Sequence, residues 1–125
     1  MENKQTVRTQ GILRISQDVI ATIASCAATE IDGVAGLAAY TADIKHLFTR
    51  SAINKSITVT LSDDVAEIDV RLNLYFGTKI PVVSEAVQRA VKEAVQNMTG
   101  ITVSKVNVFI GDITFPPQSV SAAAQ

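Results

Sequence analysis

The chain of 125 residues is poor in the side chains that most often carry catalysis or bind metals. It has one cysteine, Cys26, one histidine, His46, and no tryptophan. A single cysteine cannot form an internal disulfide, which is typical of proteins in a reducing compartment. A single histidine is too few for most catalytic zinc sites, and only His46 could serve a Ser-His or Cys-His dyad. A solvated surface role for His46 and a half-buried packing role for Cys26 are the simpler interpretations.

The chain also lacks an excess of charge of one sign and any long hydrophobic run. The 11 basic and 12 acidic residues leave a net charge of −1, which gives no basic footprint for nucleic acid or anionic lipid. No apolar run approaches the roughly 20 residues of a membrane span, and the opening residues MENKQTVRTQG lack the apolar core of a signal peptide. We therefore expect a cytoplasmic protein that does not insert into a membrane directly.

The hydrophobic residues that are present, 47% of the chain, are enough for one globular domain and follow helical and strand periods. A first helix is predicted to begin at Ser16 and end before Gly33, and a second to run from Pro81 to Gly100. Their predicted apolar stripes are Val19, Ile20, Ile23, Ala24, Ala27, Ala28 and Ile31 in the first, and Ile80, Val83, Val87, Val91, Ala94, Val95 and Met98 in the second.

Alternating apolar residues predict strands at 57–61, 66–76 and about 102–113, and the first two form a hairpin through the turn 62–64. Residues 11–15 fit a short leading strand or an extended lead-in. The small residues around Gly36 suggest a loop, and Thr41 is a candidate cap for a short helix.

Each long strand has one apolar face and each long helix one apolar stripe, so both helices should cover the same side of the sheet. We predict an α+β fold, a two-layer sandwich with a mainly antiparallel three- to four-stranded sheet and two long helices on one face, in the order (β)αββαβ. A single domain would span residues 10–115, between a flexible N-terminus at 1–9 and a disordered C-terminal tail at 116–125.

The segment Gly77-Thr78-Lys79, between a strand and a helix, raises the possibility of a phosphate-binding loop. A Walker A loop, G-x-x-x-x-G-K-[ST], needs two glycines and a hydroxyl directly after the lysine, whereas the one glycine before Lys79 is Gly77, two residues away. Here Ile80 follows the lysine, and Pro81 removes a backbone donor at the start of the helix. Gly77 is therefore better explained as turn chemistry, and we predict no nucleotide, cofactor or metal.

Carboxylates and aromatic residues on the predicted outer face of the sheet allow other functions. Glu67 and Asp69 could share a proton or a metal, although Arg71 beside them favours a solvated sheet face. Tyr75 and Phe109 could stack RNA bases, as in RNA-recognition folds, but they are few and the two carboxylates oppose phosphate.

Protein binding is the remaining class, and we predict no catalytic residues. Candidate partner-binding residues are Arg71, Tyr75, Glu85, Arg89, Lys92 and Phe109. The segment 43–55 is apolar and mildly basic, so it could dock on a membrane or a partner helix, although packing on the domain's own core is the simpler role.

Five stretches carry a family resemblance. They are G-I-L-R-I-S-Q-D-V-I-A-T-I-A (11–24), E-I-D-G-V-A-G-L (30–37), I-D-V-R-L-N-L-Y-F-G-T-K-I-P (68–81), V-Q-R-A-V (87–91) and M-T-G-I-T-V-S-K-V-N-V-F-I-G-D-I (98–113). In order and spacing they resemble the alkaline shock, or general stress, proteins of Gram-positive bacteria. The resemblance covers about 11–113 and is weakest at 38–56.

The resemblance implies a non-enzymatic cytoplasmic scaffold or adaptor in the cell-envelope stress response. It implies protein partners, among them a membrane-anchored one that would bring the protein to the membrane, and self-association into a homo-oligomer. It carries over no catalytic residues. The alternative function is an RNA-binding module that uses the exposed sheet face, and a small-molecule carrier or enzyme subunit ranks below it.

Overall fold

The computed structural model describes residues 11–38 and 56–116. Their elements, in chain order, are α1 (Gln17–Thr29), β1 (Val34–Leu37), β2 (Ile57–Ser62), β3 (Val65–Tyr75), α2 (Ile80–Thr99) and β4 (Thr102–Thr114). The predicted α+β sandwich with two helices packed on a sheet is confirmed. The predictions for the N-terminus, for a short helix from Thr41, for His46 and for the tail after Pro116 lie outside the described residues.

Helix α1 begins and ends as its sequence indicates. The Ser16 hydroxyl accepts a hydrogen bond from the Val19 N–H at 3.2 Å, and Asp18 lies in the first turn, near the positive end of the helix dipole. The buried residues are Ile20, Ala21, Ala24 and Ala28. Small side chains on this face allow α1 to pack closely against α2 and the sheet.

The predicted hairpin of β2 and β3 is also confirmed. Ile57 lies opposite Val70, and Ser62 lies opposite Val65. Asp63 and Asp64 connect the strands with positive φ values of 52° and 65°. Two left-handed residues in a two-residue connection form the turn that matches the natural twist of paired strands, and aspartate is one of the residues that tolerates this conformation.

Strand β3 is the centre of the sheet. Strand β4 runs parallel to it along its whole length, from the pair Val65 and Thr102 to the pair Tyr75 and Thr114. Strands β2 and β1 are both antiparallel to β3 and share its other edge, β2 along the first part and β1 along the last. The sheet is therefore mainly antiparallel, and α2 is the crossover that a parallel neighbour requires.

One hydrophobic core lies between the helices and the sheet. Its fully buried residues on β3 and α2 are Ala66, Ile68, Val70, Leu72, Leu74, Val87, Val91 and Val95, each with 0% exposure. Every second residue of β3 and every fourth residue of α2 thus points into one layer. Neither helix described above covers the opposite face of the sheet, and we call it the open face.

Two strand predictions need correction. Residues 11–15 are not a strand, so the extended lead-in is the correct alternative. The stretch around Gly36, predicted to be a loop, is strand β1, which pairs with the last part of β3. A bulge between Val34 and Gly36 places Val34 and Leu37, three residues apart, opposite the core residues Leu74 and Leu72. The strand therefore lacks the alternation by which strands are recognised.

Five residues predicted to be buried or half-buried are exposed; two of them, Val19 at 46% and Ile80 at 43%, lie near the starts of the two helices. Phe76 follows the last residue of β3 and is 64% exposed, and Met98 is 72% exposed. The buried positions of α2 recur every four residues and end at Val95, and the half-buried Thr99 follows in the same spacing, so Met98 falls beside the stripe. Cys26 is exposed because it is two residues, more than half a helical turn, from both Ala24 and Ala28.

Candidate functional site

The open face of the sheet carries a bridged pair of carboxylates. Asn107 of β4 donates its side-chain N–H groups to Glu67 Oε2 at 3.0 Å and to Asp69 Oδ1 at 2.7 Å. An amide that donates to both carboxylates bridges them, so a shared proton is not needed to hold them together. Within residues 11–38 and 56–116, no group of three His, Cys, Asp or Glu side chains is placed to hold a metal ion.

Two of the predicted binding residues meet on this face. Arg71 and Phe109 are opposite each other in the β3–β4 register, and the guanidinium carbon lies 5.3 Å from the centre of the Phe109 ring. This is a cation–π geometry, and Phe109 keeps 48% of its surface exposed. Tyr75 lies on the same face at the end of β3, four residues beyond Arg71.

The other three predicted residues belong to a different surface. Glu85, Arg89 and Lys92 lie on the exposed side of α2, which points away from the sheet. The six predicted partner-binding residues thus divide between two opposite sides of the domain and do not form one site.

Two glutamines of α2 hold the helix to β4. Gln96 Oε1 accepts the Val103 N–H at 2.9 Å, and Gln88 Nε2 donates to the Val106 carbonyl at 3.1 Å. Their function is structural, and polarity alone did not reveal it.

A third surface, at one end of the domain, was missed by sequence reasoning. Because β3 and β4 are parallel, both finish at this end, where the Phe76 and Phe115 rings lie 5.2 Å apart. Phe76 donates its N–H to the Thr114 carbonyl at 2.6 Å, which joins the two chain segments. We call this surface the aromatic end; its exposed members are Phe76, Ile80, Val82, Ile113 and Phe115.

The aromatic end is strongly exposed for an apolar surface. Phe115 is 71% exposed and Val82 62%, in addition to Phe76. The signal in the sequence was the position of both phenylalanines: each directly follows the last residue of a strand and precedes a residue that ends strands, Gly77 and Pro116 respectively.

The turn at the aromatic end explains the Gly77-Thr78-Lys79 segment. Gly77 has φ 93°, which favours glycine, and the Thr78 N–H donates to the Tyr75 carbonyl at 3.2 Å. The Thr78 side chain packs on Gly33, where an added Cβ would come within 2.9 Å of Thr78 Cγ2. The segment therefore forms a packed turn, which supports the prediction of turn chemistry.

A groove with a volume of ≈ 680 Å³ lies at the opposite end of the described domain. Its lining includes Arg14, Ser16, Leu61, Asp64 and Thr99. Both hydroxyl groups are already used by the fold, because Ser16 caps α1 and the Thr99 hydroxyl donates to the Val95 carbonyl at 2.6 Å. This lining offers no nucleophile beside a base.

None of the helices in the described parts of the chain is long and apolar enough to span a membrane.

Comparison with known proteins agrees with the family suggested by the motifs. The chain is 34% identical over 106 residues to the uncharacterized protein YqhY of Bacillus subtilis, covering 84% of this chain and 78% of the relative. It is also 34% identical over 106 residues to the uncharacterized protein Spy1614 of Streptococcus pyogenes serotype M6, covering 82% of this chain and 88% of that protein.

A solved structure named MamM-CTD 215-293 has a similar fold, with a TM-score of 0.50, 12% identity, and coverage of 78% of this chain and 99% of that one. At this identity, the likeness concerns the fold alone. The model of the ASP23 family, described by its cell envelope-related function, matches residues 5–115. The chain therefore belongs to the ASP23, or alkaline shock, family of cell envelope-related proteins.

Proposed function

We propose that the protein is a non-enzymatic scaffold or adaptor of the cell envelope stress response that binds another protein through its aromatic end. The observation that carries this proposal is the exposed pair Phe76 and Phe115, with Val82 of α2 at the same end of the domain. Adjacent exposed apolar side chains mark interaction sites, and aromatic anchors supply much of the binding free energy in protein interfaces.

The state of the polar groups supports a binding role over a catalytic one. Glu67 and Asp69 are held by the Asn107 amide, and the groove hydroxyls of Ser16 and Thr99 make hydrogen bonds within the fold. These hydrogen bonds give each group a role within the fold, and none of them sets a nucleophile beside a base. The aromatic end, in contrast, needs no rearrangement to receive an apolar partner.

The proposed setting is the cytoplasmic side of the membrane, reached through a membrane-anchored protein. The cell envelope-related description of the family supports this setting. A net charge of −1 gives no general attraction to anionic lipid, so a protein partner suits the aromatic end better than a lipid surface.

RNA binding on the open face is the second candidate, and the arrangement of Arg71 over Phe109 favours it because aromatic and guanidinium planes stack on bases. Glu67 and Asp69 lie on the same face and would repel a phosphate backbone. We therefore rank RNA binding below protein binding.

Photo-cross-linking can separate these surfaces. A benzophenone amino acid would replace Phe76 at the aromatic end, Phe109 on the open face, or Arg89 on the polar side of α2, each in the full chain in its host cell. We expect a discrete protein adduct from position 76 in the membrane fraction, and weak or no adducts from positions 109 and 89.

The matched control carries the benzophenone at Phe76 together with Phe115→Ser. It should lose the adduct while its thermal unfolding remains cooperative. Adducts only at position 109 that disappear on ribonuclease treatment would contradict the adaptor and favour the RNA-binding alternative. Adducts only at position 89 would move the protein-binding surface to α2.

A further inference from the structure

Helix α2 protects only the first half of the outer edge of β4, the edge that faces away from β3. There, Gln96 binds the Val103 N–H and Gln88 binds the Val106 carbonyl. Both are backbone groups that an edge strand would otherwise expose. The core-facing side chains in this half are well covered, since Val103 is 2% exposed and Val106 is 7% exposed.

The second half of β4 is less protected. The N–H and C=O of one residue point to the same edge of a strand, and alternate residues share that direction. The Val106 carbonyl points away from β3, so those of Val108 and Ile110 do as well. No described strand pairs with them. Coverage of the side chains also falls, because Val108 and Ile110 are half-buried and Ile113 is 39% exposed.

We propose that this edge pairs with a second copy of the chain, β4 against β4 in antiparallel direction, about a two-fold axis at Val108. Val108 would then exchange two backbone hydrogen bonds with Val108 of the second copy. Ile110 would do the same with Val106, whose carbonyl keeps its second lone pair beside the Gln88 bond. Side chains that point to the core in one copy would meet core-pointing side chains of the other.

Charge complementarity selects a second copy as the occupant. On the open face, Lys105 lies opposite Glu67 and Asp112 lies opposite Asn73, with Gly111 as an extra residue between Ile110 and Asp112. In the antiparallel dimer, Ile110 lies opposite Val106 of the second copy, and Gly111 is again left over without a partner. Asp112 therefore lies opposite Lys105 of the second copy, and the same holds with the copies exchanged. Asp112 Oδ1 accepts the Ile113 N–H at 2.8 Å, which leaves Oδ2 for the lysine. The interface would thus contain two Lys105–Asp112 pairs of opposite charge, one on each side of the two-fold axis.

The pairing would also cover the apolar residues that one copy leaves open. In each copy, α2 overhangs the outer edge at Val103 and Val106. In the antiparallel dimer, that part of the helix comes over Ile110 and Ile113 of the other copy. This interface shares Ile113 with the aromatic end but does not include Phe76 or Phe115, so the inference does not depend on the proposed function.

The test is the mass of the purified full chain in solution, measured by light scattering after size exclusion over a range of concentrations. A monomer has a mass of 13.3 kDa, and we expect twice that mass. Lys105→Asp and Asp112→Lys each turn two attractive pairs into repulsive ones and should raise the dimer Kd about tenfold or more. A mixture of the two variants should restore dimers, because each altered charge then meets its opposite.

Val108→Pro tests the backbone pairing, since it removes an N–H that points away from β3. It should give a monomer, and circular dichroism should show that the sheet is retained. A wild-type chain that stays monomeric at every concentration would overturn the proposal, as would a dimer that neither charge variant weakens. Restored dimers from the mixed variants would be hard to explain by another interface. A monomeric chain that still cross-links its partner through Phe76 would refute the dimer and leave the proposed function standing.

Discussion

Strands β3 and β4 are parallel neighbours with similar alternating sequences, yet their core-facing side chains are buried to very different depths. The core-facing residues of β3 are all 0% exposed, whereas those of β4 range from 2% at Val103 to 39% at Ile113. The difference follows from the place of each strand in the sheet. Strand β3 is paired along both edges, whereas β4 is paired with a described strand along one edge only. Alternation therefore predicts which face a residue takes, and the place of the strand in the sheet decides how deeply it is buried.

The largest expected effect tests this contrast directly, since Leu72 of β3 and Ile110 of β4 lie opposite each other. We expect Leu72→Ala to lower the free energy of unfolding by about 3 kcal/mol, because it leaves a cavity in a fully buried site. Ile110→Ala should cost about 1 kcal/mol, since water already reaches this position. Urea denaturation of both variants in a Lys105→Asp background, at low protein concentration, would measure the difference with little contribution from the proposed self-association.

Equal losses from the two substitutions would contradict the contrast between the strands. They would mean that β4 is buried as deeply as β3 in solution.

An intermediate effect is expected where α2 covers β4. Gln96→Ala leaves the nearly buried Val103 N–H without its acceptor and should lower the free energy of unfolding by about 1–2 kcal/mol. Asn97→Ala is the matched control, because the neighbouring Asn97 is exposed and its loss should change stability by less than about 0.5 kcal/mol. Thermal or urea unfolding would compare the two, and a neutral Gln96→Ala would show that the Val103 N–H finds another acceptor.

The smallest effect concerns the open face, where β3 and β4 interact through side chains. Arg71 and Phe109 should couple by about 0.5 kcal/mol, the usual value for a partly exposed cation–π pair. Arg71 also makes another interaction, so a single substitution would overstate the pair. A double-mutant cycle with Arg71→Met and Phe109→Ala isolates the coupling free energy, and a value of zero would show that the two side chains do not interact in solution.

Long periodic elements could be predicted from the sequence, and short or irregular ones could not. Helix α1 with its Ser16 cap, the β2–β3 hairpin and helix α2 have periods long enough to specify type and face. Strand β1 escaped detection because its bulge removes the alternation. The lead-in at 11–15 matches a strand in composition, but it forms no pairing with the sheet.

The candidate surfaces were predicted less well, for a physical reason. Alternation correctly placed Arg71, Tyr75 and Phe109 on the open face, because alternate residues of a strand share a side. The aromatic end, in contrast, brings together Phe76 and Phe115, which are distant in the chain and meet only because β3 and β4 are parallel. That pairing depends on how the crossover helix packs, which local sequence does not encode.

The hydrogen bond between Ser56 and Ala38 has a consequence for how the family can vary. The buried Ser56 donates its hydroxyl to the Ala38 carbonyl at 2.7 Å, so the ends of the two described segments, at residues 38 and 56, are held together. Because these ends are joined in space, the entropic cost of a longer connection between them would grow only slowly with its length. This contact therefore lets the positions of β1 and β2 in the sheet tolerate a change in the length of the chain between them.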